Sequence, residues 1–407
     1  MLSAMLGARG LPDLALAALS VTPGPVRRPA LRAGAAAARW RVRRRGNPAR
    51  LLFHVTHRCD AHCEHCFLHG EGRTAEGPTL TRAEVRALTA TMPDRVRMLT
   101  FAGGEPTLRG DLAELAAAFR DGPGVDRVSV VTHGGFPDRV EKLARALLDA
   151  GIPAVRFQVS LDGVGDDHDR IREKPGLYDA ALETLARLKR LRHPRLDPPQ
   201  VLTTVGRHNL EALDELLHTV AALGVVHKLG LYRDPAQGVF GVPTAALAGP
   251  PERRAALTLT GLEPARVSAA VLGARERIAD RERSTDSTGS TDSTGASRAE
   301  RLHDALFLEM QLAALLGGER QVACVARWVD GVLLPDGGLA FCEESAAFTN
   351  VREVGLDFAA AWRGEAARAR RAQLAACHCA HPCHLSSSMA FDAAAVEAVV
   401  ARGRRGA

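Results

Sequence analysis

Aromatic side chains are scarce in this chain, 4% of 407 residues with two tyrosines and three tryptophans. That scarcity goes with an Ala- and Arg-rich composition, so missing aromatic signals exclude little. Other absences exclude more. No stretch approaches the roughly 18–20 uncharged apolar residues that cross a bilayer. Leu14–Val21 is apolar but short, with Arg9 and Asp13 just before it, and it lacks the longer core and small-residue cleavage site of an export signal. No serine-hydrolase or phosphate-loop constellation is present. The eight cysteines are not spread as a disulfide framework. Three stand near the start and five near the end, the pattern of metal ligation in a reducing cytosol, so a cytoplasmic location is expected. What is present suits a soluble globular protein: 46% hydrophobic residues and length enough for two domains. The net charge of +6 gathers in Arg-rich ends (Arg41, Arg43, Arg44, Arg45), read as a solvated terminus rather than a surface for nucleic acid or anionic lipid.

From about residue 50 to 235, strand and helix patterns alternate. Leu51–Thr56, Met98–Gly103, Val128–His133, Val155–Asp162, Val201–Val205 and Val226–Tyr232 are short apolar runs bounded by Gly, Pro or polar residues. Arg82–Thr91, Asp111–Phe119, Asp138–Ala150, Tyr178–Leu191 and Leu210–Leu223 are amphipathic. Repeated strand–helix units imply parallel strands with right-handed crossovers, and six of them fit an open or partial barrel. The fold class is α/β. Functional residues then gather at the carboxyl ends of the strands. Arg283–Ser297 holds Ser-Thr-Asp-Ser-Thr-Gly twice with almost nothing to bury, a flexible linker between helical patterns at Ala265–Ala279 and Ala299–Leu316.

Directly after the first strand come Cys59, Cys63 and Cys66, spaced Cys-x3-Cys-x2-Cys. Three thiolates on one loop leave one position open on a four-iron cube, where a ligand can bind. A structural zinc site completed by His57, His62, His65 or His69 has the same ligands to draw on. The second strand ends in Phe101-Ala-Gly-Gly-Glu-Pro106, whose glycines admit close backbone approach and whose Glu105 can accept from a ligand ammonium. The third ends in Thr132-His-Gly134, lining the same pocket, and the fourth in Ser160-Leu-Asp-Gly163, where Ser160 and Asp162 can reach ribose hydroxyls.

Taken together and in this order, the cysteine triad, Gly103-Gly104-Glu105-Pro106 and Ser160-Leu-Asp-Gly163 resemble the radical S-adenosylmethionine (radical SAM) superfamily over about residues 50–235. The resemblance implies a partial (β/α)6 TIM-like barrel and a [4Fe-4S] cluster whose open site binds the amino and carboxylate groups of S-adenosylmethionine. It puts Gly103–Glu105 at the methionine amino group, Ser160 and Asp162 near the ribose, and His65 beside the adenine. Two positions depart from the family pattern: His133 stands where Asn is usual, and His65 where Tyr or Phe is commoner. Arg172, in a His168-Asp169 context, is a candidate for the cofactor carboxylate, with a surface ion pair as the other reading.

Cys324 precedes a hairpin pattern, Gly331–Leu334 and Leu339–Glu343 around Pro335-Asp-Gly-Gly338, which carries Cys342. Cys377, Cys379 and Cys383 follow, with His378, His381 and His384 between them. This arrangement resembles the twitch domain, the shortened relative of SPASM, and implies a small cysteine-rich α+β domain with an auxiliary [4Fe-4S] cluster, Cys379 and Cys383 favoured as ligands and Cys377 as the spare. Zinc remains open there. The expected organisation is an N-terminal extension (1–48), the radical SAM core (49–235), a helical connector (236–320) containing the linker at 283–297, the auxiliary-cluster domain (321–390) and a basic tail (391–407).

By resemblance the chain is an enzyme, an oxidoreductase that takes an electron from flavodoxin or ferredoxin, cleaves S-adenosylmethionine to a 5′-deoxyadenosyl radical and abstracts a hydrogen atom from a substrate. Oxidation or bond formation on a small molecule is the first expectation, and a peptide-modifying maturase the alternative. A non-catalytic zinc or iron–sulfur protein that binds nucleic acid is the reading from a different class. Lys228, Tyr232 and Arg233, at the end of the sixth strand, are candidates for substrate contact.

Overall fold

The computed structural model describes residues 18–19, 21–66, 78–232, 255–285, 298–317, 320–377, 379 and 382–405. Six strands follow in chain order: β1 (Arg50–Thr56), β2 (Val96–Gly103), β3 (Val125–Thr132), β4 (Val155–Ser160), β5 (Gln200–Val205) and β6 (Val226–Leu231). Each pairs in parallel with the next, the outcome of strand–helix repeats whose crossovers return each chain to the same end of the sheet. All six expected strands are therefore present, with ends shifted by up to three residues.

The C-terminal hairpin does not stand apart from this array. Strand β7 (Asp330–Leu333) runs parallel to β1, with Leu51 opposite Gly331 and Phe53 opposite Leu333. β8 (Gly338–Ala340) and β9 (Thr349–Asn350) add antiparallel to it. One nine-stranded sheet results, in the order β6-β5-β4-β3-β2-β1-β7-β8-β9. Its core is shared in the same way. Phe53 and Phe101, fully buried in the barrel, belong to one apolar cluster with Leu333, Phe341, Phe358 and Trp362. Burying each such ring contributes about 1.5–3 kcal/mol, so the last 90 residues and the barrel stabilise each other. A polar tie adds to this. Glu84 closes a capping box with Thr81 at the start of the helix Arg82–Ala90, and its carboxylate also receives Arg352 at 2.6 Å.

Near both ends of the chain the described residues form packed helices. Residues 1–48 contain a helix, α1 (Gly24–Arg43), that buries Leu31, Ala35, Ala38 and Val42. It packs on the helix Ala393–Arg405, formed by the stretch read as a basic tail. Arg27 is buried and gives two hydrogen bonds to Glu397, at 2.8 and 2.6 Å. The small residues of the Ala-rich segment are what let two helices approach, which composition alone does not distinguish from a solvated end. The helix Pro264–Thr285 runs through the first three residues of the expected linker, and 286–297 lie outside the described residues. Among the described residues no helix is long and apolar enough to cross a membrane.

Candidate functional site

The cysteine loop is seated by backbone. On one side Gly104 and Glu105 donate their N–H groups to the carbonyls of Thr56 and Arg58, each at 2.8 Å. On the other, His62 and Glu64 donate to the carbonyls of Arg172 and Ile171. The two glycines are required by this approach. A Cβ on Gly103, which has φ +126°, would meet the Thr56 carbonyl oxygen at 2.3 Å, and one on Gly104 would meet the Arg58 oxygen at 2.0 Å. Their close neighbour is thus the loop that carries Cys59, Cys63 and Cys66. Burial, first of all, pushes the Cys59 thiol up to about 12, with Cys63, Cys66 and Glu105 adding to it.

Glu105 is buried and its carboxylate is already engaged. Thr107 donates through its backbone N–H (3.0 Å) and hydroxyl (2.6 Å), Thr132 through its hydroxyl (2.7 Å) and His133 through its backbone N–H (2.9 Å). It welds the ends of β2 and β3 and leaves little acceptor capacity for a ligand ammonium. His133 accepts from the Gly135 N–H on Nδ1 at 2.9 Å, so its proton sits on Nε2 and points to Asp60 at 2.8 Å. Lys174 pairs with the same carboxylate, which lies next to Cys59 in sequence. The unusual His133 therefore ties β3 to the cysteine loop.

Asp162 is fully buried beneath the site and is not among the residues that line its cavity. Arg172 donates to it from Nε at 2.7 Å, and the Thr204 N–H at 2.8 Å. Burial alone would raise the Asp162 carboxyl, but the Arg172 guanidinium outweighs it and holds the group ionised. Arg172 is buried as well, with Nη1 3.7 Å from the Cys63 sulfur. The surface ion pair is thereby excluded: this guanidinium offsets both a carboxylate and the cysteine loop. His65 lies between them, with Nε2 3.5 Å from Asp162, and stacks on His208 with ring centroids 5.4 Å apart. Burial lowers His65 to about 3 and His208 to about 4, so both rings stay neutral.

A cavity of about 600 Å³ opens against this wall, with Cys59, Cys63, Cys66, His65, Ser160 and Arg172 among its lining residues. Gly103, Gly104, Glu105 and Thr132 also reach it, whereas Pro106 is buried in the turn behind. Across the cavity stand Lys228 and Tyr232 of the β6 end and, unforeseen, Asp304 from the helix Arg298–Gly317. Lys228 pairs with Asp304. Arg233 and His69 lie outside the described residues. His208 and Asp304 belong to no local motif. Only the folded chain brings them to the site.

Cys324, Cys342, Cys377 and Cys379 come together in a second group, close enough for their thiols to perturb one another. The Cys377–Cys379 hydrogen bond, then burial, pushes Cys379 up, while the same bond lowers Cys377. Arg320 holds this group: it donates to the Cys379 carbonyl at 3.1 Å, the His384 carbonyl at 3.1 Å and the Ser388 hydroxyl at 3.0 Å. The Cys383 side chain, His378 and His381 lie outside the described residues. Glu343 and His384, next to cysteines in sequence, line the large cavity, so this group lies just behind its wall.

Residues 53–220 match the Radical SAM superfamily. That stretch, with the cysteine loop and most of the barrel strands, is a radical SAM domain. Radical SAM proteins use a [4Fe-4S] cluster and S-adenosylmethionine, and the residues present fit both. Among the described residues, only Cys59, Asp60 and His133 form a trio with ligand atoms all within 4.8 Å. Cys59, Cys63 and Cys66 all line the same cavity, and three thiolates would leave one iron of a four-iron cluster open to a ligand. Similar curated proteins include Fe-coproporphyrin III synthase of Methanosarcina barkeri, 35% identical over 136 residues, 33% of this chain and 32% of that one. PqqA peptide cyclase of Ruegeria pomeroyi is 30% identical over 184 residues, 44% of this chain and 45% of that one. The chain spans less than half the length of each. Among solved structures, native anSMEcpe with bound AdoMet has a TM-score of 0.51 at 14% identity, covering 78% of this chain and 82% of that one. SuiB of Streptococcus suis also gives 0.51, at 12% identity, over 83% and 71%. These structural likenesses carry the fold.

Proposed function

We propose that this radical SAM chain is an enzyme that holds a [4Fe-4S] cluster on Cys59, Cys63 and Cys66 and reductively cleaves S-adenosylmethionine to oxidise, or form a bond on, a small molecule. The single observation behind this reading is the cavity of about 600 Å³ that joins the three cysteines to the Lys228–Asp304 pair, a volume suited to a cofactor and a compact substrate. When bound, the cluster and S-adenosylmethionine would supply a 5′-deoxyadenosyl radical able to abstract a hydrogen atom. The chain's own residues position and exclude water. Gly103 and Gly104 seat the cysteine loop, and Arg172 offsets the charge of thiolates at Cys63 and Cys66. Ser160 and His65 face the cavity where a ribose and an adenine would lie. Lys228, held by Asp304, presents a cation to the substrate end.

In this reading Cys324, Cys342, Cys379 and Cys383 would hold an auxiliary cluster in a twitch-like region (321–390), with Cys377 spare, and that cluster would supply an electron acceptor behind the cavity wall. Flavodoxin or ferredoxin supplies electrons, in the cytoplasm, a setting that suits cysteines which form no disulfide among the described residues. A peptide substrate is the second reading. It is favoured by the resemblance to PqqA peptide cyclase and by the likeness to anSMEcpe solved with Cp18Cys peptide.

Anaerobic purification, reconstitution with iron and sulfide, and assay of 5′-deoxyadenosine with dithionite test the proposal. About eight irons per chain, two reduced-cluster signals in electron paramagnetic resonance and cofactor cleavage are expected. Zinc in place of iron, with no cleavage, would overturn it.

A further inference from the structure

Away from the barrel mouth, a basin of about 700 Å³ is lined by seven arginines, two tryptophans and an alanine, with no carboxylate. Arg43, Arg44 and Arg45 come from the end of α1 and the two residues after it, Arg327 from the short helix Ala326–Val329 after Cys324, and Arg363, Arg368 and Arg371 from the segment leading to Cys377. Among the described residues none of the seven makes an ion pair, although this chain pairs many of its other arginines. Collecting this much like charge costs stability unless something outside the chain offsets it.

The array is rigid. Arg327 donates to the Arg371 carbonyl at 2.8 Å, and Arg371 donates back to the Arg327 carbonyl at 2.9 Å. The Arg371 guanidinium lies over Trp328 and Trp362, 4.7 Å from each ring centroid. Trp362 is only 1% exposed and Arg371 covers Trp328, so the rings hold arginines and offer no face for stacking bases. What the surface presents is fixed guanidinium, the geometry that meets carboxylates. Its place decides the partner. Arg327 stands three residues after Cys324, and Arg371 six before Cys377, so the basin adjoins the C-terminal cysteine group.

We infer that this arginine basin is a docking face for an acidic electron-transfer protein that exchanges electrons with the C-terminal cluster. This rests on the auxiliary cluster proposed above. Exposed Arg363 and Arg368 sit at its rim, outside the cavity that holds the cysteine triad.

The test uses the full chain, reconstituted anaerobically, and an acidic flavodoxin as probe. Wild type and the double variant Arg363→Glu/Arg368→Glu are compared in flavodoxin binding at low and high salt and in oxidation of reduced flavodoxin. Iron content and dithionite-driven cofactor cleavage are measured on the same samples. Binding and electron transfer are expected to weaken about tenfold or more in the variant and to lose most of their salt dependence, with iron and dithionite-driven cleavage unchanged. Flavodoxin binding that is equal in the two proteins would overturn the inference. So would salt-sensitive binding of a DNA duplex that the variant abolishes while flavodoxin binds neither protein. A chain without iron at its C-terminal cysteines fails the cluster assignment instead, and the binding isotherm still reports on the basin.

Discussion

Between Cys59 and Cys66 the three cysteines follow one another along one loop, and the backbone on both sides of that loop is pinned to strand and helix ends. At the other end of the chain, Cys324, Cys342 and the Cys377–Cys379 pair come from three segments, gathered by side chains such as Arg320, Arg327 and Arg371. A site pinned by backbone tolerates side-chain change but no added Cβ. A site gathered by arginines is open to loss of a single guanidinium. The proposed roles differ in the same way: fixed geometry toward a bound cofactor for the first group, and proximity for electron transfer for the second.

The comparison can be broken most directly at Gly104. Gly104→Ala places a Cβ 2.0 Å from the Arg58 carbonyl oxygen. The first cluster and all 5′-deoxyadenosine formation are expected to be lost while about four of about eight irons stay on the C-terminal group. Cys63→Ala should give the same pattern. Full iron loading with normal cleavage in the glycine variant would show that the cradle is not required.

Arg172→Met leaves the Asp162 carboxylate buried without its partner. A loss of about 3–5 kcal/mol is expected in denaturant unfolding of the metal-free chain. A change below about 1 kcal/mol would mean that water replaces the guanidinium.

Arg320→Ala sharpens the other half of the contrast. It removes the donor that joins the Cys379 and His384 segments, at a cost of about 1.5–3 kcal/mol. The second cluster's resonance should fade while dithionite-driven cofactor cleavage persists.

The smallest effect is one of pH. His65, His168 and His208 titrate near 3, 4 and 4 in the folded chain, chiefly through burial. Near neutrality all three are unprotonated in both states. As pH falls below about 6.5 the unfolded chain takes up protons that the folded chain refuses, so stability declines toward pH 4. About 1 kcal/mol per pH unit per ring is expected in the metal-free protein. His208→Gln should flatten the slope by about one proton, and an unchanged slope would show that this ring is protonated in the fold.

The positions of β1–β6 were legible because each is a short apolar run ended by a Gly, Pro or polar residue, and chain order fixed their parallel pairing. The triad was legible for the same local reason, since its spacing is a property of one loop. The hairpin was also visible in Pro335-Asp-Gly-Gly338. Its attachment to β1 was not, because strand pairing between Leu51 and Gly331 leaves no mark in either segment. Nor was the helix Gly24–Arg43, whose Ala-rich pattern acquires a buried face only when Glu397 and its helix pack against it. Asp162 shows the limit most clearly. Its motif marked it as important, but spacing alone could not choose between a cofactor and Arg172. Local sequence determined the strands, the cysteine loop and the chemistry they can carry. Tertiary structure decided which charged groups meet, because a carboxylate or a guanidinium takes its role from whatever is buried beside it, and those neighbours lie tens to hundreds of residues away.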